Sequence, residues 1–211
     1  MFNGLIEAVG ALGELEPIPE GLRMHVATEL APELTLGESV AVNGVCLTVT
    51  ALAADGFQAE VSPETLRVTG LGSLRAGGVV NLERSMRADT RVGGHFVLGH
   101  VDATGRIEAI RHEADFHRVT VSFPPTLAPL LVRKGSVAVD GISLTVAELE
   151  ETRFDVQIIP FTWDHTNLGR TAVGAVVNLE CDIIGKYVVR ALEVGEYGGA
   201  PPAAGGGDHH D

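Results

Sequence analysis

The side chains of this sequence best suited to moving protons are two imidazoles, one thiol and a set of hydroxyls. The imidazoles, His95 and His100, lie in GGHFVLGH, from residue 93 to residue 100. Histidine is the usual general base near neutral pH. As metal ligands the two are badly placed, since five residues along an extended strand turn side chains to opposite faces and no further Cys or His cluster is near in sequence. An exposed polar linker is the plainer reading, yet linkers seldom carry Phe96, Val97 and Leu98 between two histidines. The thiol is Cys46, within SVAVNGVCLTV from Ser39 to Val49. A lone strand cysteine is by base rate an inert hydrophobe. Its counterpart lifts it above that rate: SVAVDGISLTV runs from Ser136 to Val146, with Ser143 for Cys46 and Asp140 for Asn43. Divergence confined to Cys/Ser, Asn/Asp and one Val/Ile swap predicts two related pockets with different tasks. Thr65 in SPETLRVTGLG and Thr162 in IPFTWDHTNLG read alone as plain strand-end or cap residues. Their matched placement makes them paired hydroxyl contacts to a ligand.

These residues are positioned by a chain written twice. The separation of the two hairpin sequences is kept by VVNLE, at 79–83 and again at 176–180, and it pairs Thr65 with Thr162 and Gly72 with Gly169. Gly4 and Gly10 of the opening stretch match Gly99 and Gly105 with a two-residue gap. Each copy is the size of a small domain, too long for a solenoid repeat. Val40, Val42, Val45, Leu47 and Val49 alternate around Asn43-Gly44, the strongest short hairpin signal, and Asp140-Gly141 repeats it. RFDVQII and FHRVTVSF are further period-two strands. The fold class expected is all-β: two tandem six-stranded antiparallel Greek-key barrels, over residues 1–97 and 98–185. Residues 186–211 are expected to hold a helix and a tail. Ile184, Tyr187, Val188, Ala191 and Leu192 follow helical spacing, whereas GGAPPAAGGGDHHD is Gly/Pro-rich and reads as disordered. Its terminal DHHD is read as functionless.

Composition excludes several functions. Of 211 residues 45% are hydrophobic, enough for real cores, and the net charge of −13 argues against a nucleic-acid partner, which needs a basic footprint. No stretch reaches the length of a bilayer span, and Glu7 interrupts the start where a secretory signal would be apolar. Cys46 and Cys181 are too few for a disulfide framework and read as reduced thiols, Cys181 a structural one. A cytoplasmic protein without membrane contact is expected. Neither a G-x-G-x-x-G turn after a strand nor a P-loop is present.

Taken together, MFNGLI, GESVAVNGVCLTV, GGHFVLGH, KGSVAVDGISLTV and HTNLG closely resemble the riboflavin synthase family, enzymes of the duplicated lumazine-binding repeat, from Met1 to about Tyr187. The resemblance implies a homotrimer of two-barrel chains, each barrel holding one 6,7-dimethyl-8-ribityllumazine. Two lumazines dismutate, one passing a four-carbon unit to the other, to give riboflavin and a ribitylaminopyrimidinedione with no added cofactor or metal. Association with lumazine synthase is a further partner it points to. Met1-Phe2-Asn3-Gly4 matches the family's N-terminal site motif, with Asn3 where threonine is usual; Phe2 would wall the donor pocket and Gly4 would let the backbone pass closely. Ser39, Cys46, Thr65, His95 and His100 match the first-barrel site, and Lys134, Asp140, Ser143, Thr145 and Asp182 the second.

The chemistry suits these types. The C7 methyl of a lumazine is acidic because its carbanion delocalises into the ring, so a modest base and hydrogen bonds to the anion suffice. His100 is the first choice for proton transfer, with His95 in support. Cys46 adds to ring C7 or carries a proton. Ser143 and Asp140 orient the second lumazine. Holding two ring systems face to face supplies much of the rest, since well-oriented pairs gain roughly 7–11 kcal/mol. Two other classes stand beside this one: an antenna protein that binds the ligand without turning it over, and a structural barrel pair.

Overall fold

The alternating hairpin pattern closes into two barrels in the computed structural model, which describes residues 1–197. The tail from 198 onward lies outside the described residues. The first barrel contains β1 (Ala8–Ile18), β2 (Gly21–Ala27), β3 (Ser39–Val42), β4 (Val45–Ala53), β5 (Gly56–Val61) and β6 (Val79–Arg84). Its strands run in the order β1-β2-β5-β4-β3-β6, all antiparallel, and β6 closes on β1. The second contains β7 (Ala103–Glu113), β8 (Phe116–Ser122), β9 (Ser136–Val139), β10 (Ile142–Leu149), β11 (Arg153–Ile158) and β12 (Val176–Cys181) in the equivalent order. Short helices α1 (Pro63–Val68) and α2 (Pro160–Asp164) sit at matching places, and α3 (Ile183–Tyr197) follows β12. Closure leaves no free sheet edge.

The pattern works because each hairpin has two unlike faces. In β3–β4 the residues Val40, Val42, Val45, Leu47 and Val49 point inward and form the first core with Phe57, Val80 and Leu82. The alternate residues Ser39, Ala41, Cys46 and Thr48 are therefore on the outer face, cross-paired as Ser39 with Thr48 and Ala41 with Cys46. The second barrel repeats this, pairing Ser136 with Thr145 and Ala138 with Ser143 on the outside of a core built on Val137, Val139 and Phe154.

The tight turns of the two hairpins meet. Asn43 (φ 46°) and Gly44 (φ 74°) face Asp140 (φ 46°) and Gly141 (φ 79°), the left-handed pairs that two-residue hairpins require. A Cβ on Gly44 would lie 2.6 Å from the Gly141 nitrogen, so only glycine lets the turns touch. Around them a buried network crosses the junction. Asn81 N–H donates to Asn43 Oδ1 (2.7 Å) and Asn178 N–H to Asp140 Oδ1 (2.8 Å). Asn81 Nδ2 reaches Asp140 C=O (2.9 Å), and Asn178 Nδ2 reaches Asn43 C=O (2.8 Å). Asn167 breaks this symmetry: its carboxamide donates to Asp140 Oδ2 (2.8 Å) and Asn43 Oδ1 (3.3 Å), where the first copy has Gly70.

The helix α3 begins at Ile183, earlier than residue 186, because the Asp182 carboxylate caps it by accepting from Ile184 N–H (3.0 Å). Its apolar residues Ile184, Tyr187, Val188, Leu192 and Val194 are all exposed. Among the described residues no helix is long and apolar enough to cross a membrane.

Candidate active site

Each outer hairpin face is crossed by a short extended segment that opens one of the repeats. Cys46 N–H donates to Gly99 C=O (2.9 Å), and Ser143 N–H donates to Gly4 C=O (2.8 Å). The approach is close enough to demand glycine. At φ +79° a Cβ on Gly99 would stand 2.5 Å from the Cys46 Cβ, and at φ +72° one on Gly4 would stand 2.6 Å from the Ser143 Cβ. Each segment therefore opens its own barrel but covers the hairpin of the other one. Phe2 and Val97 pair where the two segments pass, each donating its N–H to the other's C=O (2.6 and 3.1 Å).

Two carboxylates that sequence reasoning missed anchor these segments. Glu83 in β6 accepts from Asn3 N–H (2.6 Å) and Gly4 N–H (3.0 Å). Glu180 in β12 accepts from Leu98 (2.6 Å), Gly99 (2.9 Å) and His100 N–H (3.0 Å). Burial pushes the Glu83 carboxyl up to about 7 against the pull of its backbone donors, and burial raises Glu180 as well. Both belong to the repeated VVNLE, where an acid at the end of an apolar strand, kept in both copies, was the available signal.

His95 reaches across to the second barrel. Its Nδ1 lies 2.7 Å from Ser143 Oγ, the ring is buried, and Nε2 has no hydrogen-bond partner among the described residues. Burial lowers its pKa, with the charge of Asp182 pulling the other way, so the neutral imidazole dominates at pH 7. His95, expected with the first-barrel group, thus lies beside the hydroxyl of the second barrel: the segment 94–95 folds over Ser143 before 97–100 crosses to Cys46. His100 is exposed and held through its backbone. Cys46 is half-buried beside the Phe2 cluster, with Ser39 on the same face.

Several other candidates take different places. Phe2 is wholly buried with Ala41, Val97 and Ala138 between the barrels, where it forms the floor between the two hairpins. Asp140 is buried in the junction, its oxygens taken by Asn178 and Asn167, so the Asn43/Asp140 divergence goes with Asn167, which has Gly70 as its counterpart in the first copy. Lys134 sits in the turn before β9 at φ +67°, its N–H bonded to Val146 C=O, where the first copy has Gly37. Thr145 is exposed on the Ser143 face. Thr65 is in α1 with its hydroxyl 3.0 Å from Ser62 Oγ, and Thr162 is in α2. Asp182 lies between β12 and α3, near His95. Cys181 is fully buried and its thiol is pushed up to about 12 by burial, in keeping with a structural residue.

A cavity of about 620 Å³ opens beside Asn3, Leu5 and Glu83, bordered by Ser85, Thr90 and Arg91. It adjoins the segment over Ser143, and neither Cys46 nor Ser143 is among its lining residues.

Comparison with known proteins agrees with this architecture. The lumazine binding domain model matches twice, over residues 3–85 and 98–182. Riboflavin synthase of Actinobacillus pleuropneumoniae is 45% identical over 195 residues, covering 91% of this chain and 90% of that protein. Riboflavin synthase of Bacillus subtilis (strain 168) is 40% identical over 193 residues, with 91% and 90% covered. That of Mycobacterium tuberculosis (strain H37Rv) is 44% identical over 197 residues, with 91% and 98% covered. Among solved structures, LumP complexed with 6,7-dimethyl-8-(1'-D-ribityl) lumazine superposes with a TM-score of 0.78 at 21% identity, covering 86% of this chain and 99% of LumP. The LumP complex with riboflavin gives 0.80 at the same identity and coverage, which speaks for the fold alone. With both repeats matched and enzymes of three bacteria aligned along nearly their whole length, the chain belongs to the riboflavin synthase family.

Proposed function

We propose that this chain catalyses the dismutation of two molecules of 6,7-dimethyl-8-ribityllumazine, one passing a four-carbon unit to the other, to give riboflavin and 5-amino-6-ribitylamino-2,4-pyrimidinedione. The observation that carries this reading is the pair of equivalent outer hairpin faces, each crossed by a glycine segment, that differ in their reactive groups. One presents Cys46, with His100 following the glycine that covers it; the other presents Ser143 hydrogen-bonded to His95. A neutral imidazole is the form able to accept a proton, so the lowered pKa of His95 suits removal of a C7-methyl proton. Its Nε2 is buried and has no partner among the described residues. Ser143 and Thr145 hydroxyls orient that lumazine, and Cys46 with Ser39 and His100 contact the other. Asp182 and Lys134 flank the Ser143 face, and Thr65 and Thr162 extend the two sites.

The two faces complete one site between chains. Within one chain the Phe2–Val97 bridge and the buried cluster of Phe2, Ala41 and Ala138 fill the space between the hairpins, leaving no room for two stacked ring systems. The exposed apolar face of α3 supports a homotrimer that brings the first barrel of one chain against the second barrel of its neighbour. Two unpaired thiols suit a reducing compartment, and cytoplasmic location is part of the same reading.

The purified chain is expected to form riboflavin, detected by its fluorescence, from the lumazine with no metal, nicotinamide or flavin added. Binding without turnover would replace the enzyme by an antenna protein. Cys46→Ala and Ser143→Ala chains, each weakly active alone, are expected to regain activity when unfolded and refolded together. Some interfaces then join an intact first barrel to an intact second one. Absence of recovery in confirmed mixed oligomers would place the site within one chain.

A further inference from the structure

Asn3 is buried and has every polar group engaged. Its N–H donates to Glu83 Oε1 (2.6 Å) and its C=O accepts from His95 N–H (3.2 Å). In the side chain, Oδ1 accepts from Gly94 N–H (2.9 Å) while Nδ2 donates to Arg91 C=O (2.9 Å). One residue thus ties β6 to three points of the segment 91–95. The next residue, Gly4, ties the same strand of chain to Ser143 N–H (2.8 Å). The segment has no slack where it lands, since a Cβ on Gly94 would come 2.9 Å from both Cβ and Oγ of Ser143.

The second copy lacks this device. At the place of Asn3 it has Leu98, whose N–H makes the matching bond to Glu180 (2.6 Å) but whose side chain has no donor or acceptor. The carboxamide bonds therefore exist only on the side of the molecule where an imidazole meets a hydroxyl. The amide side chain meets Gly94 N–H with its oxygen and Arg91 C=O with its nitrogen, two groups at a fixed separation.

We propose that Asn3 is a positioning residue: its carboxamide holds the segment 91–95 in the one register that places the His95 ring against Ser143 Oγ. The proposal rests on the reading of His95 and Ser143 as part of the lumazine site. Asn3 itself touches neither His95's ring nor Ser143, and acts through the backbone of Arg91 and Gly94.

The test uses the full chain with nitrogen-15-labelled histidine, so that the His95 ring is followed by NMR through a pH titration alongside turnover of the lumazine. In Asn3→Ala the ring loses its fixed place and gains water, and its titration midpoint is expected to rise by about one pH unit. Turnover is expected to fall by about 10²-fold, the cost typical of small misplacements, with KM unchanged. Asn3→Ser leaves one short hydroxyl in place of the separate oxygen and nitrogen and adds no charge near His95; it is expected to lie between wild type and Asn3→Ala in both readouts, and it serves alone should the alanine variant not fold. An unmoved His95 titration overturns the proposal, whether or not turnover falls. Failure of the wild type to make riboflavin overturns the functional reading instead, and the His95 titration still decides the role of Asn3.

Discussion

At Asp140 the carboxylate meets two donors, Asn178 N–H and the Asn167 carboxamide, and burial still pushes its pKa up to about 6. Replacing it by asparagine keeps the acceptor for Asn178 but turns an NH2 towards the NH2 of Asn167, whose oxygen is already held by Asn81 Nδ2 (2.9 Å). Asp140→Asn is expected to lose about 1–3 kcal/mol in urea unfolding, the usual cost of an unsatisfied buried polar group. Asn167→Asp added to it restores a donor facing an acceptor, and should recover part of the loss. An unchanged midpoint in Asp140→Asn would show that the junction repacks freely. Lys134 is the opposite case, a side chain in a backbone conformation that the first repeat gives to Gly37. Left-handed backbone costs a non-glycine residue about 1–2 kcal/mol, so Lys134→Gly is expected to raise stability by up to about that amount. If turnover falls in the same variant, the strain is retained for the ammonium group; if turnover holds, Lys134 leaves the site.

The hairpins were readable because alternation and a two-residue turn signal coincide in them, and the duplication gave a second reading of each. The same alternation assigns Ser39, Cys46, Ser143 and Thr145 to one kind of face without any structure. What alternation leaves open is which backbone lies across that face. Residues 1–4 and 94–100 bond to partners about 50 to 140 positions away, and no local period encodes such a crossing. Hence local pattern places neither the His95 ring beside Ser143 nor Phe2 between the hairpins, and it reads Glu83 and Glu180 only as repeat markers. The anchoring by Glu83 has a pH signature. Its carboxyl titrates near 7 in the folded chain against 4.5 ordinarily, so between those values the folded state keeps a proton that the unfolded chain has released. Stability contributed through this group is full below 4.5 and declines as pH rises through 7. Glu83→Gln removes that slope, and its stability relative to wild type is expected to be better at pH 8 than at pH 5 in parallel denaturant titrations. Parallel curves at both pH values would mean that the carboxylate stays ionised throughout.

At the scale of the whole molecule the unanswered surface is α3. A helix of this length is marginal alone in water and needs its apolar face covered, yet Ile184, Tyr187, Val188 and Leu192 meet solvent in the single chain. Truncation after Asp182 is expected to leave monomers in analytical ultracentrifugation and, on the proposal of a site between chains, to abolish turnover. A trimer surviving the cut would move the interface elsewhere. The crossing of the opening segments has a consequence in time. A ribosome delivers Gly4 long before Ser143, so while the first barrel's strands pair, its leading residues have Glu83 to hold them but nothing yet to cover. Cys46 gets its lid early, from the stretch that emerges next; Ser143 finds its lid already waiting, provided the first residues are still unobstructed when the second barrel closes. The second barrel's hairpin thus closes against backbone made about 140 residues earlier, so the last piece of one domain to be covered is covered by the first piece of the chain to be made.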